Sequence, residues 1–154
     1  NPQYQPRKER FMSIHSRTRL LTHLVWSTYK REWLKSRPLR IELNNYLREY
    51  ADSHSIRLII AYVNPNHIHL LIDLEPTQSI ASTVKLLKGT SSRWLNQHEA
   101  RSTKFSWGRG YGAFSVSESH VHRVIRYISN QEKHHQVRQF TEEFDELLHK
   151  YKVD

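Results

Sequence analysis

The chain switches repeatedly between two hydrophobic periods. Arg19 to Ser27 reads Arg-Leu-Leu-Thr-His-Leu-Val-Trp-Ser, β-rich and apolar on both faces, which predicts a central strand. The residues up to Arg37 are basic, carry Tyr29 and Trp33, and suit a connection or a short helical turn. Pro38 fits the first position of a helix. Leu43, Tyr46, Leu47 and Tyr50 then recur at helical spacing, so the helix is predicted to run to about Asp52, where Ser53-His54-Ser55 breaks it. Arg57 to Val63 predicts a second strand, Asn64-Pro65-Asn66 is turn chemistry, and Asn66 to Asp73 predicts a third strand in an antiparallel hairpin, ended by Glu75-Pro76-Thr77.

The second half repeats the alternation. Ile80, Val84, Leu87, Trp94 and Leu95 form an apolar stripe that predicts a helix from Gln78 to about Gln97. Gly89 sits inside it, where glycine costs stability; a close approach of backbone or phosphate, or a mild bend, would account for it. Residues 98–110 are polar and basic, with Phe105, Trp107, Gly108 and Gly110 interleaved, a composition that suits either base stacking with phosphate contact or a surface loop with two anchoring aromatics. Tyr111 to Val116 predicts a fourth strand. Ser117 can cap a helix carrying Val121, Val124, Ile125 and Ile128 on its core face, predicted over 117–135. A last helix is predicted over 141–151, capped by Thr141 and packed through Phe144, Leu147 and Leu148. The order is strand, helix, strand, strand, helix, strand, helix, helix. It predicts an α+β fold, a ferredoxin-like (split βαβ) antiparallel sheet with helices on one face, plus the two C-terminal helices. The expectation is one domain over 1–154, with residues 1–18 a loose polar arm.

Within the third strand, His67 and His69 flank Ile68. Side chains alternate along a strand, so the two imidazoles share one face while Ile68, Leu70 and Ile72 share the other. At roughly 6–7 Å between their backbones they can converge on one divalent ion. Two strand histidines facing solvent or paired with carboxylates fit the same spacing.

Composition narrows the partners. Cysteine is absent from the 154 residues, which removes disulfides, thiolate metal sites and cysteine nucleophiles together. No run of 18 apolar residues exists, and the polar N-terminus lacks a signal-peptide core, so no membrane partner is expected. The formal net charge is +9, although Glu142, Glu143, Asp145 and Glu146 cluster near the C-terminus. Everything before them is therefore more basic than the average, and a nucleic acid is the partner that rewards such a charge through counterion release.

Tyr127 and Gln131 stand one turn apart on the helix predicted from Ser117, at the edge of its core stripe. Two imidazoles and an amide oxygen make three neutral ligands and leave positions open for phosphate oxygens and water, a set that suits Mg2+ or Mn2+ and also zinc. A tyrosine beside such an ion can attack phosphorus and form a covalent protein–DNA intermediate. A packing tyrosine and a surface amide fit the spacing equally, and Tyr111, Tyr62 and Tyr29 are rival nucleophiles.

Pro65-Asn66-His67-Ile68-His69-Leu70-Leu71 resembles the HUH motif (His, hydrophobic, His) of the small single-tyrosine transposases of bacterial insertion sequences, the IS200-like transposases. Tyr127-Ile128-Ser129-Asn130-Gln131 resembles that family's tyrosine motif. His23-Leu24-Val25-Trp26-Ser27-Thr28 is similar to its first strand, Leu87-Lys88-Gly89-Thr90-Ser91-Ser92 to its basic helix segment, and Trp107 to Ser117 to the approach to the tyrosine helix. The resemblance covers about residues 15–150. It implies Tyr127 as nucleophile and His67, His69 and Gln131 as metal ligands. It also implies cleavage and rejoining of single-stranded DNA at hairpin-marked ends through a 5′-phosphotyrosine, in a bacterial cytoplasmic protein, nucleoid-associated when on DNA, that is often a homodimer. The REP-associated tyrosine transposases, a domesticated branch that can be monomeric, share both motifs. A DNA-hairpin-binding protein that keeps the fold without cutting is the alternative of another class. Lys85, Lys88, Arg93, Lys104 and Arg109 are expected DNA contacts on charge and position alone. The acidic C-terminal helix and His134-His135 have no place in the motif.

Overall fold

The computed structural model describes residues 17–99, 101–135 and 139–153, with residues 134 and 135 described by backbone alone. The arm expected over 1–18 therefore lies almost wholly outside the described residues. Four strands form one antiparallel sheet: β1 (Leu21–Ser27), β2 (Arg57–Val63), β3 (His67–Asp73) and β4 (Gly112–Ser115), in the order β2-β3-β1-β4. β1 and β3 are the central strands, and nearly every residue of each is buried because helices cover both faces of the sheet. The register pairs Val25 with His69 and Ser27 with His67 on one side of β3, and Tyr62 with His69 on the other. Asp73 closes the far end of the sheet. It accepts from the Leu20 backbone N–H at 2.9 Å and pairs with Arg19 and Arg57, each at 3.5 Å.

Helices cover both faces. α1 (Arg37–Ser53) and α2 (Ile80–His98) lie on the face shown by Leu24, Trp26, Ile68, Leu70 and Ile72, where Leu43, Leu47, Val84, Leu87 and Leu95 complete an apolar core. Each helix starts at a serine whose hydroxyl accepts a backbone N–H, Ser36 from Leu39 and Ser79 from Ser82. Ferredoxin-like strand order is as the alternation of periods predicts. The opposite face holds α3 (Val121–Ser129), α4 (Gln131–His135) and α5 (Phe140–Lys150). Val121, Val124, Ile125 and Ile128 of α3 pack on Leu21, Ile60 and Leu71. Leu71 has the same parity as His67 and His69, so the Tyr127 helix lies on the histidine face.

Local differences from the sequence expectation have physical causes. Residues 117–135 are not one helix: a 3-10 turn at Glu118–His120 precedes α3, and Asn130, at φ −99° and ψ 21°, separates α3 from α4. α5 begins at Phe140 rather than after Thr141, with Gln139 at its N-cap position and no side-chain cap bond. Phe105 and Trp107 are core anchors, 1% and 8% exposed, with Trp107 Nε1 donating to Ser91 Oγ at 2.8 Å. They are not available for base stacking. No atom outside α2's own backbone and nearest neighbours would lie within 4 Å of a Cβ on Gly89, so crowding inside the chain does not explain that glycine. Among the described residues, no helix is long and apolar enough to cross a membrane.

Candidate active site

β3 turns His67 and His69 toward α3 and α5, and both are buried, at 1% and 0% exposure. Their rings meet edge to face with centroids 5.1 Å apart. His67 Nδ1 lies 2.8 Å from Asn66 Oδ1, and Phe140 of α5 stacks on the His67 ring at 4.3 Å. His69 Nδ1 lies 2.8 Å from Nε2 of His23, the residue on β1 that points to the same face. Burial, reinforced by repulsion from His69, holds His23 well below the ordinary imidazole range, so it is neutral near pH 7. The His23–His69 bond satisfies both rings in either direction: Nδ1 of His69 accepts when its Nε2 carries a proton and donates when Nε2 is a lone pair.

The tyrosine comes from α3. The Tyr127 ring lies edge-on to His69 at 5.7 Å and to His23 at 6.2 Å. Of its sequence rivals, Tyr29 and Tyr111 are 50% and 42% exposed. Burial raises the Tyr62 phenol, which faces Arg37, Arg40 and Glu132. Gln131, at the start of α4, is fully buried. Its Oε1 accepts from Asn64 Nδ2 at 3.4 Å and its Nε2 donates to the Tyr127 carbonyl at 3.2 Å. Asn64 is tied in turn to the His67 carbonyl through its backbone N–H at 2.8 Å. The hairpin turn thus joins Gln131 to the foot of the histidine strand.

One residue that the spacing did not single out reaches the centre. Glu143 of α5, 2% exposed, brings Oε1 to 2.8 Å from His69 Nε2 and Oε2 to 3.6 Å from His67 Nε2. The Tyr127 hydroxyl donates to the same Oε1. α5 sits there because Phe140 and Leu147 pack with Val25 and Phe114. Gly112 makes the approach possible, since a Cβ on it would stand 2.9 Å from both Phe144 and Val25. The signal was present: Phe140, Glu143, Phe144 and Leu147 occupy i, i+3, i+4 and i+7, so Glu143 is an acid inside an apolar stripe.

The donor set fits a divalent metal. One ligand atom each from His67, His69 and Glu143 lie within 4.8 Å of one another, a span that a single ion with bonds of about 2.0–2.4 Å can bridge. Beside the cluster a groove of about 950 Å3 opens over Tyr127 and Glu143, with His120, Arg123 and Lys150 on its walls.

The model of the family described as "Transposase IS200 like" matches residues 16–131, most of the chain. The chain belongs to the IS200-like transposase family. The ISDra2 transposase TnpA of Deinococcus radiodurans is 30% identical over 114 residues, covering 71% of this chain and 81% of the relative. The transposase for insertion sequence element IS200 of Salmonella typhimurium is 27% identical over 123 residues, covering 76% and 80%. A transposase crystal structure from Deinococcus radiodurans R1 superposes with a TM-score of 0.59 at 27% identity, over 82% of this chain and 98% of that one. The REP-associated tyrosine transposase bound to a REP hairpin shares the fold, with a TM-score of 0.56 at 13% identity over 80% and 74%.

This IS200-like transposase carries His23, His67, His69, Tyr127 and Gln131 inside the matched segment, and Glu143 beyond it. Lys85, Arg93, Lys104 and Arg109 are exposed. Lys88 differs: its Nζ donates to the carbonyls of Gly108 at 2.9 Å and Gly110 at 2.6 Å and lies over the Trp26 ring. It clamps the loop before β4, and burial lowers its pKa. The side chains of His134 and His135 lie outside the described residues.

Proposed function

We propose that this transposase cleaves and rejoins single-stranded DNA at hairpin-marked ends, with Tyr127 as nucleophile. The observation that carries the reading is Tyr127 standing against His69 with its hydroxyl on a buried carboxylate. In the step proposed, the Tyr127 oxygen attacks a backbone phosphorus, the P–O3′ bond breaks, and the strand leaves with a free 3′-OH. The 5′-phosphate stays on the tyrosine. The phenolic proton ends on the departing 3′-oxygen or on solvent, and Glu143 orients the hydroxyl meanwhile. Attack by a 3′-OH on the phosphotyrosine reverses the step without ATP.

In this reading His67, His69 and Gln131 would hold the cofactor, and Mg2+ or Mn2+ bound there would supply Lewis-acid charge for attack on the phosphodiester. His23 fixes the His69 ring. Arg123 and Lys150 of the groove, with the exposed Lys85, Arg93, Lys104 and Arg109, supply positive charge to the DNA, while Lys88, expected as a contact on charge alone, instead fixes the loop that carries Arg109. The hairpin as recognition mark takes support from the fold neighbour solved on a REP hairpin. We take the working assembly to be a homodimer acting in the bacterial cytoplasm on the nucleoid, on the family resemblance.

The test uses labelled single-stranded DNA carrying the inverted repeats that flank the gene, with Mn2+ or Mg2+. Wild-type protein should give a covalent adduct, and Tyr127→Phe should lose it by on the order of 10⁴-fold or more. An adduct that persists in Tyr127→Phe removes the nucleophile assignment. An intact strand with wild-type protein, together with hairpin binding that survives EDTA, returns the chain to a binding role.

A further inference from the structure

Two imidazoles and one amide would give a divalent cation no negative charge inside a buried site, where an uncompensated charge is costly. Magnesium and manganese are hard cations that prefer oxygen, and the charge carried by the ligands sets their affinity. Arg123 and Lys150 on the groove walls add positive charge beside the pair. With no DNA phosphate present to supply negative charge, a dication at this point is held better by a set that includes a carboxylate.

Glu143 is that carboxylate. It is 2% exposed, and each of its oxygens faces a different histidine, at 2.8 Å and 3.6 Å from the Nε2 atoms. Phe140, one turn earlier on α5, stacks on His67 and holds the helix against the pair. An acid in the apolar stripe of a docked helix has no packing rationale, whereas a charged partner offsets its burial. We propose that Glu143 is a metal ligand of this transposase, completing a His67–His69–Glu143 set that binds Mn2+ in the DNA-free protein. Glu143 does so from a helix outside the family-matched segment. The proposal rests on the metal-dependent reading above and adds to it an anionic ligand. Because the Tyr127 hydroxyl donates to the same carboxylate, the residue that holds the ion also fixes the direction of the phenol.

The experiment titrates full-length, DNA-free protein with Mn2+ and follows the loss of the free-ion electron paramagnetic resonance signal, with the thermal melt as a second readout. Glu143→Gln keeps shape and removes charge. It should weaken Mn2+ binding by at least about tenfold and lose the rise in melting temperature that Mn2+ gives wild type. Glu143→Asp keeps the charge and must bind Mn2+ more tightly than Glu143→Gln. Equal affinities of these two variants overturn the proposal even if both melt below wild type. Wild-type affinity in Glu143→Gln, with binding lost in His69→Ala, overturns Glu143 as ligand while leaving the histidine site in place. Wild-type affinity in His69→Ala takes down the histidine site and the proposal with it.

Discussion

On one face of β3, Ile68, Leu70 and Ile72 meet α1 and α2 in an apolar core, while on the other His67 and His69 meet Glu143, Tyr127 and His23. Both faces exclude water: Leu70 and His69 are each 0% exposed. The first face is held by dispersion and solvent exclusion and tolerates other apolar side chains of the right volume. The second is held by hydrogen bonds and ion pairs that each need a stated partner, so it tolerates little. Equal burial thus conceals unequal purpose, and a strand that reads as uniformly buried carries one structural and one chemical surface.

Three substitutions sharpen that contrast, in falling order of their effect on stability. Leu70→Ala should destabilise the fold by about 2–5 kcal/mol in urea unfolding, through lost burial and a cavity. Refolded protein below its melting point should still bind Mn2+, because the histidine face is untouched; lost metal binding in the folded fraction would show the faces are coupled. Gly112→Ala should cost about 1–3 kcal/mol by overpacking against Phe144 and Val25. Its signature is local: hydrogen exchange should rise across α5 and stay at wild-type rates across α1. Uniform exchange through the molecule would mean that α5 docking is not the contact disturbed. His23→Leu should cost only about 1 kcal/mol, since apolar burial offsets part of the lost hydrogen bond. Mn2+ affinity should nonetheless drop on the order of 10–100-fold as the His69 ring loses its partner. An unchanged affinity would assign His23 to packing alone.

Much of this was legible in the sequence where one period governs one element. The alternation around Ile68 put His67 and His69 on a common face, and the helical stripe Val121, Val124, Ile125, Ile128 put Tyr127 at its edge. What periodicity cannot supply is the partner across a tertiary contact. Glu143 reaches the histidines only because α5 folds back over β4 and β1, sixteen residues after Tyr127. His23 reads as one more strand residue until β1 is known to lie beside β3. Phe105 and Trp107 mislead in the opposite direction: aromatics among basic residues suggest an exposed stacking surface, but the bridge of Trp107 to Thr28 draws both inward. Asn130 interrupts a helix that the apolar stripe, ending at Ile128, carries no information about.

The docking of α5 also bears on inheritance. Its grip is a small cluster of its own, Val25, Phe114, Phe140 and Leu147, and it follows the last residue at which the family pattern is recognised. With Glu143 as the proposed ligand, substitutions within α5 would retune which ion is bound, and how strongly, without altering the histidine pair or the tyrosine. On that proposal, relatives with the same histidine pair and tyrosine would differ in their preference between manganese and magnesium through changes confined to this one helix.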